Sequence, residues 1–196
     1  MLYPVFMKLS TVPCLVVGGG AVASRKVSGL LAASAAVTVL CPEVCGPLDA
    51  LVRAGKITWL RRAFRRGDLE GFRLVIAATG SPRVNALVHE EAAARGILVN
   101  AVDDPEHSSF FVPATAGRGD LLIAVSTSGT APYLARRLRE HLQDKLYPGL
   151  EQDLERARAV RARISGESPD PARRKKLVEL EMEPLARKII SRMEGA

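Results

Sequence analysis

Cys14-Leu15-Val16-Val17-Gly18-Gly19-Gly20-Ala21-Val22-Ala23-Ser24-Arg25-Lys26 is the stretch whose reading decides the fold. An apolar, β-branched run of the kind that fills a buried strand stops at three glycines. Small, helix-compatible residues then lead into an amphipathic run, so the pattern is strand, tight turn, helix. The spacing G-x-G-x-x-A falls on Gly18, Gly20 and Ala23. The first glycine permits the sharp turn, the second leaves no side chain where a pyrophosphate approaches backbone, and the small third residue lets helix pack close to strand. The helix N-terminus adds free N–H donors and partial positive charge. A plain structural turn uses the same letters, but its place between strand and helix favours a dinucleotide cradle. Arg25 and Lys26 oppose the dipole of the new helix, which is tolerable if they face solvent or an anion sits nearby.

Outward from this unit the rhythm repeats. Val37–Leu40, 57–60, 74–78 and 98–102 read as further strands, with helices from Gly46-Pro47 to Gly55 and from Pro82 to Arg95, the latter capped by Gly96. Strands buried on both faces and alternating with helices indicate a parallel, doubly wound sheet. The pattern then changes. Residues 110–114 and 121–126 read as a hairpin-like pair around Gly117-Arg118-Gly119-Asp120, followed by a helix from about Tyr133 to Leu142. Beyond Pro148-Gly149 the chain is helical. One apolar stripe runs through Leu146, Leu150, Leu154, Ala157, Val160 and Ile164; a linker spans 166–171; a last helix carries Leu177, Leu180, Leu185, Ile189 and Met193, with a bend expected at Pro184. The fold class is α/β: a Rossmann-type parallel-sheet domain (1–113), a short central βα segment (114–146) and an all-helical C-terminal tail (147–196).

The bulk properties agree with a globular enzyme-sized chain. It has 196 residues, 47% hydrophobic and 25% charged, with a formal charge of +7. No apolar run approaches the roughly 20 residues of a membrane span, and the N-terminus lacks a basic segment followed by a long apolar core. A cytoplasmic location is expected, with no membrane partner. Cys14, Cys41 and Cys45 lack metal-type pairing, so no metal site is assigned. The cationic excess suits polyanions, yet the C-terminal basic groups have helical spacing and interleaved acids, the mark of a solvated face. No nucleic-acid motif accompanies them, and no nucleic-acid partner is expected.

In open α/β sheets ligands bind outside the carboxyl ends of the strands. Four loops qualify there: the glycine turn, Cys41-Pro42-Glu43, Thr79-Gly80-Ser81 and Asp103-Asp104-Pro105. Glu43, two residues past the second strand, is placed to meet a ribose hydroxyl, which points to NAD; a loop acid before a helix is the plainer alternative. Asp103, ending the fifth strand, is the candidate proton acceptor; Asp104-Pro105 reads as turn chemistry. His107 is a possible second proton carrier, while His89 and His141 read as surface residues on helices. Thr127, Ser128 and Thr130 form a hydroxyl-rich loop before a helix, where N-capping explains one of them.

V-V-G-G-G-A-V-A-S-R-K, N-A-V-D-D-P at 100–105, S-S-F-F-V-P at 108–113 and A-V-S-T-S-G-T-A-P-Y-L-A-R-R-L-R at 124–139 resemble the precorrin-2 dehydrogenase/sirohydrochlorin ferrochelatase family, the N-terminal module of sirohaem synthases. The resemblance implies NAD-dependent oxidation of precorrin-2 to sirohydrochlorin in sirohaem or cobalamin biosynthesis. It implies a pyrophosphate held from Gly18 to Ala23, with Ala21 and Val22 in direct NAD contact, Pro42 and Glu43 in a second cofactor loop, and Asp103 in catalysis; Thr79, in the loop after the fourth strand, is a further candidate cofactor contact. It implies a homodimer formed through the central segment and tail. Some members also insert Fe2+ or Co2+, using a histidine in a longer tail; here no histidine follows Lys145, which suits a dehydrogenase at least as well. A polycarboxylate substrate would find Thr127, Ser128, Thr130, Arg136 and Arg137 as contacts.

Overall fold

A computed structural model describes residues 2–167 and 169–195, in two compact units that divide between Val112 and Pro113. The first unit holds β1 (Pro13–Val17), α1 (Ala21–Ala32), β2 (Ala36–Leu40), α2 (Gly46–Arg53), β3 (Thr58–Leu60), β4 (Leu74–Ala77), α3 (Pro82–Arg95) and β5 (Leu98–Ala101). Its five strands are all parallel, in the order β3-β2-β1-β4-β5. This is the Rossmann-type sheet expected from the alternation of strands and helices.

Period-two alternation divides the apolar residues between two cores. Cys14, Val16, Val39 and Ile76 join Ala23, Val27 and Leu30 of α1 and Leu48 of α2 on one face. Leu15, Val17, Val75 and Val99 join Val88 and Ala92 of α3 on the other. Burial on both faces is why these strands read as continuous apolar runs. The strand order reverses between β1 and β4, and this topological switch opens a crevice outside their carboxyl ends.

No regular helix fills the crossover from β3 to β4. Polar anchors hold that loop instead. Arg62 donates two hydrogen bonds to Asp68, at 2.6 and 2.8 Å. The buried Glu91 of α3 accepts from the amides of Gly67 and Leu69, at 3.0 and 3.4 Å.

In the second unit β6 (Ala114–Arg118) and β7 (Leu121–Val125) form an antiparallel ribbon turned at Gly119-Asp120. Gly119 supplies the positive φ that the tight turn needs. α4 (Pro132–Asp144) packs on the ribbon, and α5 (Leu150–Glu167) packs against α6 (Pro171–Glu194). The ribbon is shorter at its start than the apolar pattern suggested. Residues 110–112 lie outside any strand because Phe110 packs on the sheet core and its carbonyl accepts from the Asn100 side chain at 3.0 Å. α5 extends through Glu167 where a linker was expected from 166; Ser168, within that linker, lies outside the described residues. α6 continues through Pro184. No helix among the described residues is long and apolar enough to cross a membrane.

Candidate functional site

The three glycines of the first turn do different work. Gly18 has φ +130°, and a Cβ built on it would lie 2.2 Å from the Ala78 carbonyl oxygen. A Cβ on Gly19 would lie 1.9 Å from the Glu43 carbonyl oxygen and 2.6 Å from the Cys41 sulfur. Both therefore let the turn pack against the loops after β4 and β2. The amide of Gly18 donates to Leu40, and that of Cys45 to Gly19, at 3.0 and 2.8 Å. A Cβ on Gly20 would meet nothing within 4 Å. Gly20 is also the N-cap of α1; no side chain caps this helix and no acid occupies its first turn. Amides at the positive end of a helix thus face open space, an arrangement suited to a pyrophosphate.

This turn forms one wall of a cavity of about 710 Å³, well sized for a cofactor or other small ligand. Of the expected cofactor residues, Gly18, Gly20, Ala21, Val22, Pro42, Glu43 and Thr79 all line it, and so does Asp103. Ala23 does not. It is fully buried in the core, where its small side chain lets α1 approach the sheet. Glu43 is exposed on the rim, with its carboxylate outside every hydrogen bond and ion pair among the described residues. The Thr79 hydroxyl is engaged with the loop, donating to Asn85 Oδ1 at 2.7 Å. Phe64, on the anchored β3–β4 loop, lines the cavity as well; no local motif marks it, because the crossover that carries it has no regular pattern.

Asp103 has φ +60°, a left-handed conformation uncommon outside glycine and asparagine-like residues. Among the described residues its carboxylate makes no hydrogen bond, but its charge acts on Lys26 of α1. The Lys26 ammonium is pushed below its usual range by burial first and by Arg25 second, and the negative charge of Asp103 works the other way. Burial and Arg25 outweigh that attraction, so Lys26 remains a destabilised cation early in its helix. Position in the sequence, 77 residues away, offered no sign of the pairing.

His89 is not the free surface residue its helix position suggested. It is half-buried, with Nδ1 3.0 Å from the His107 carbonyl oxygen. His141 is exposed.

The remaining candidates lie in the second unit. Arg136 and Arg137 both bind Glu140, at 3.0 and 2.7 Å. In the loop before α4, the N-cap is Ala131 rather than one of the hydroxyl residues. The Thr127 hydroxyl accepts from the Ala131 amide at 3.1 Å, the Thr127 carbonyl accepts from the Thr130 amide at 2.9 Å, and Ser128 has φ +53°. Among the described residues no three His, Cys, Asp or Glu side chains gather into a metal-holding group.

A parallel sheet with a glycine turn, an uncapped helix N-terminus and a cavity at the switch point defines a nucleotide-binding domain of the Rossmann type. Comparison with known proteins carries this further. Residues 5–114 match the family described as "Putative NAD(P)-binding", and residues 118–145 match "Sirohaem biosynthesis protein central". The chain belongs to this NAD(P)-binding family, in the form joined to the sirohaem-biosynthesis central segment.

It is 51% identical to the sirohaem synthase of Methylobacillus flagellatus over 71% of this chain and 30% of that protein. It is 38% identical to the sirohaem synthase of Chromobacterium violaceum over 99% of this chain and 42% of that protein. The chain thus spans well under half the length of these relatives. A solved structure described as "SirC, precorrin-2 dehydrogenase" superimposes with a TM-score of 0.76 at 26% identity, covering all of both chains.

Proposed function

We propose that this chain is an NAD-dependent dehydrogenase that oxidises precorrin-2 to sirohydrochlorin. The observation that carries the reading is the meeting of Asp103 and the glycine turn in one cavity. The likeness to a precorrin-2 dehydrogenase over the whole chain supports it.

The bound nicotinamide supplies hydride acceptance from a reduced carbon of the macrocycle. The chain supplies the rest. Amides at Gly20, Ala21 and Val22 hold the pyrophosphate, and the Pro42-Glu43 loop holds the ribose. Glu43 selects NAD, because a 2′-phosphate would meet its negative charge. The Asp103 carboxylate takes the proton released as hydride leaves, so the substrate loses two electrons and two hydrogens, one to the cofactor and one to the base.

Thr127, Ser128, Thr130, Arg136 and Arg137 are assigned to the substrate's carboxylates, for which Arg136 and Arg137 exchange Glu140. The protein works in the cytoplasm as a homodimer, its second unit contributing the exposed apolar face of Leu122, Tyr133, Leu134 and Leu138.

Anaerobic incubation with precorrin-2 and NAD should give sirohydrochlorin and NADH in equal amounts, with a much slower reaction in NADP. Asp103→Asn should lower kcat by about 100-fold or more while NAD binding, read by fluorescence titration, is kept. Absence of NADH formation by the wild type overturns the reading. Adding Fe2+ to sirohydrochlorin in the same vessel, against an enzyme-free control, reads metal insertion separately.

A further inference from the structure

Next to Asp103 lies a group of titratable side chains that this mechanism does not use. His107 Nδ1 is 2.7 Å from Asp104 Oδ2, and the His107 amide donates to Asp104 Oδ1 at 3.2 Å. An ionised carboxylate only accepts, so the ring carries its hydrogen on Nδ1. The hydrogen bond from the His107 ring holds the Asp104 carboxyl below the usual range; the His107 amide and the charges of His107 and His89 add to it.

From α3, His89 reaches across and donates Nδ1–H to the His107 carbonyl, which again only accepts. The two rings meet edge to face, with centroids 4.9 Å apart. The following serines complete the bracing. Ser108 Oγ accepts from the Ala101 amide at 3.0 Å and donates to the Asp104 carbonyl at 2.8 Å. The Ser109 amide and hydroxyl both engage Val99, each at 2.8 Å.

The loop that follows Asp103 is therefore tied to β5 and α3, while the Asp103 carboxylate makes no hydrogen bond among the described residues and lines the cavity. A left-handed backbone at a non-glycine residue persists only where its surroundings over-determine it. Here the surroundings are the turn bond from the Asp104 amide to the Ala101 carbonyl, at 3.3 Å, and the side chains that brace the residues after it.

We infer that Asp104, His107 and His89 are positioning residues, a clamp that holds the Asp103 backbone in its left-handed conformation and its carboxylate on the cavity. The inference rests on the dehydrogenase reading for its effect on rate. His107 is the keystone, since it contacts both other members. Removing its ring frees Asp104 and leaves His89 gripping only a loosened carbonyl. Asparagine at this position offers an amide N–H close to where Nδ1 lies and keeps the bond to Asp104.

The test uses the full chain with three substitutions, His107→Ala, His107→Asn and His89→Ala, read by steady-state kinetics and by amide hydrogen exchange over 101–109. His107→Ala should lower kcat by about 10- to 100-fold, as expected when a reacting group is misplaced by about an ångström, with the KM for NAD changed less than about twofold. His107→Asn should recover most of the rate. His89→Ala should fall between them. Exchange over 101–109 should quicken in His107→Ala but not in His107→Asn, with β4 unchanged in both.

Unchanged kcat and exchange in His107→Ala, or equal losses in the alanine and asparagine variants, overturn the clamp. Should the wild type fail to oxidise precorrin-2, the dehydrogenase reading falls and the exchange contrast alone decides the clamp. Should His107→Ala fail to fold, His89→Ala with slower turnover and quickened exchange supports the clamp; wild-type values in both overturn it.

Discussion

From Cys14 to Val17 no residue of β1 is more than 2% exposed, whereas α6, with 24 residues, contributes no buried residue at all. The two units of the molecule solve the problem of apolar surface differently. The sheet unit closes a core on each face of β1, so its stability comes from burial within one chain. The second unit leaves Tyr133 and Leu180 more than 70% exposed and gathers four donors from α5, α6 and the segment before them around one buried carboxylate.

That carboxylate is Asp153, 1% exposed. It accepts from Lys188 and Tyr147, each at 2.8 Å, and from Arg156 and Arg192 at 3.1 and 3.2 Å. The lesson is one of division of labour. The nucleotide-holding unit is a self-sufficient scaffold, while the second unit is held by a polar clasp and presents apolar side chains outward, as interaction surfaces do.

The largest expected effect comes from disturbing the self-sufficient unit. Gly19→Ala drives a Cβ into the Glu43 carbonyl, and overpacking of this kind costs about 3 kcal/mol. Thermal unfolding should show that loss and titration should show weakened NAD binding; an alanine variant with wild-type affinity would break the assignment of this turn.

A smaller and more local effect is expected from Asp153→Ala. It leaves Tyr147, Lys188 and Arg192 without their shared acceptor, so α5 and α6 should lose exchange protection while NAD binding by the sheet unit survives. The pH dependence has a definite sign. The Asp153 carboxyl is held below its usual range, by Lys188 first and Tyr147 next. Its contribution is therefore present above the unfolded carboxyl range of about 4 and is lost as pH falls through the lower folded value. Acid unfolding followed by circular dichroism should show the wild type losing this advantage over Asp153→Ala at low pH.

The smallest effect on the single chain is expected from Leu134→Ser with Leu138→Ser, both exposed. Surface changes of this kind stay within about 0.5 kcal/mol. Light scattering should nevertheless show the mass halved if α4 forms the dimer face; unchanged mass would free that face from the proposed assembly.

Much of the first unit was legible because its signals are local. The run from Cys14 to Lys26 contains its own strand, turn and helix start. Pro82 and Gly96 bracket α3 where the structure ends it, with Ser81 accepting from the Val84 amide and Gly96 at φ +64°. The ribbon was placed less well, since an apolar segment such as Phe110–Val112 reads alike whether it pairs as a strand or packs on a neighbouring core. In the tail the stripe from Leu146 to Ile164 is buried at Leu146, Leu150 and Ile164, but no periodicity announces that Asp153 is buried as well. An acid at an early helix position looks like dipole chemistry until its partners arrive from another helix.

By itself the sequence determined the doubly wound sheet, the glycine turn and the row of loops at the strand ends. Alternation of side chains and freedom of φ act over a few residues, so their letters carry the outcome. Only the tertiary structure decided which of those loops share a cavity. It alone set Lys26 in the field of Asp103, Glu91 beneath the amides of the β3–β4 loop, and His89 against His107. Such meetings depend on strand order, which joins residues far apart in the chain by a geometry that no short stretch encodes.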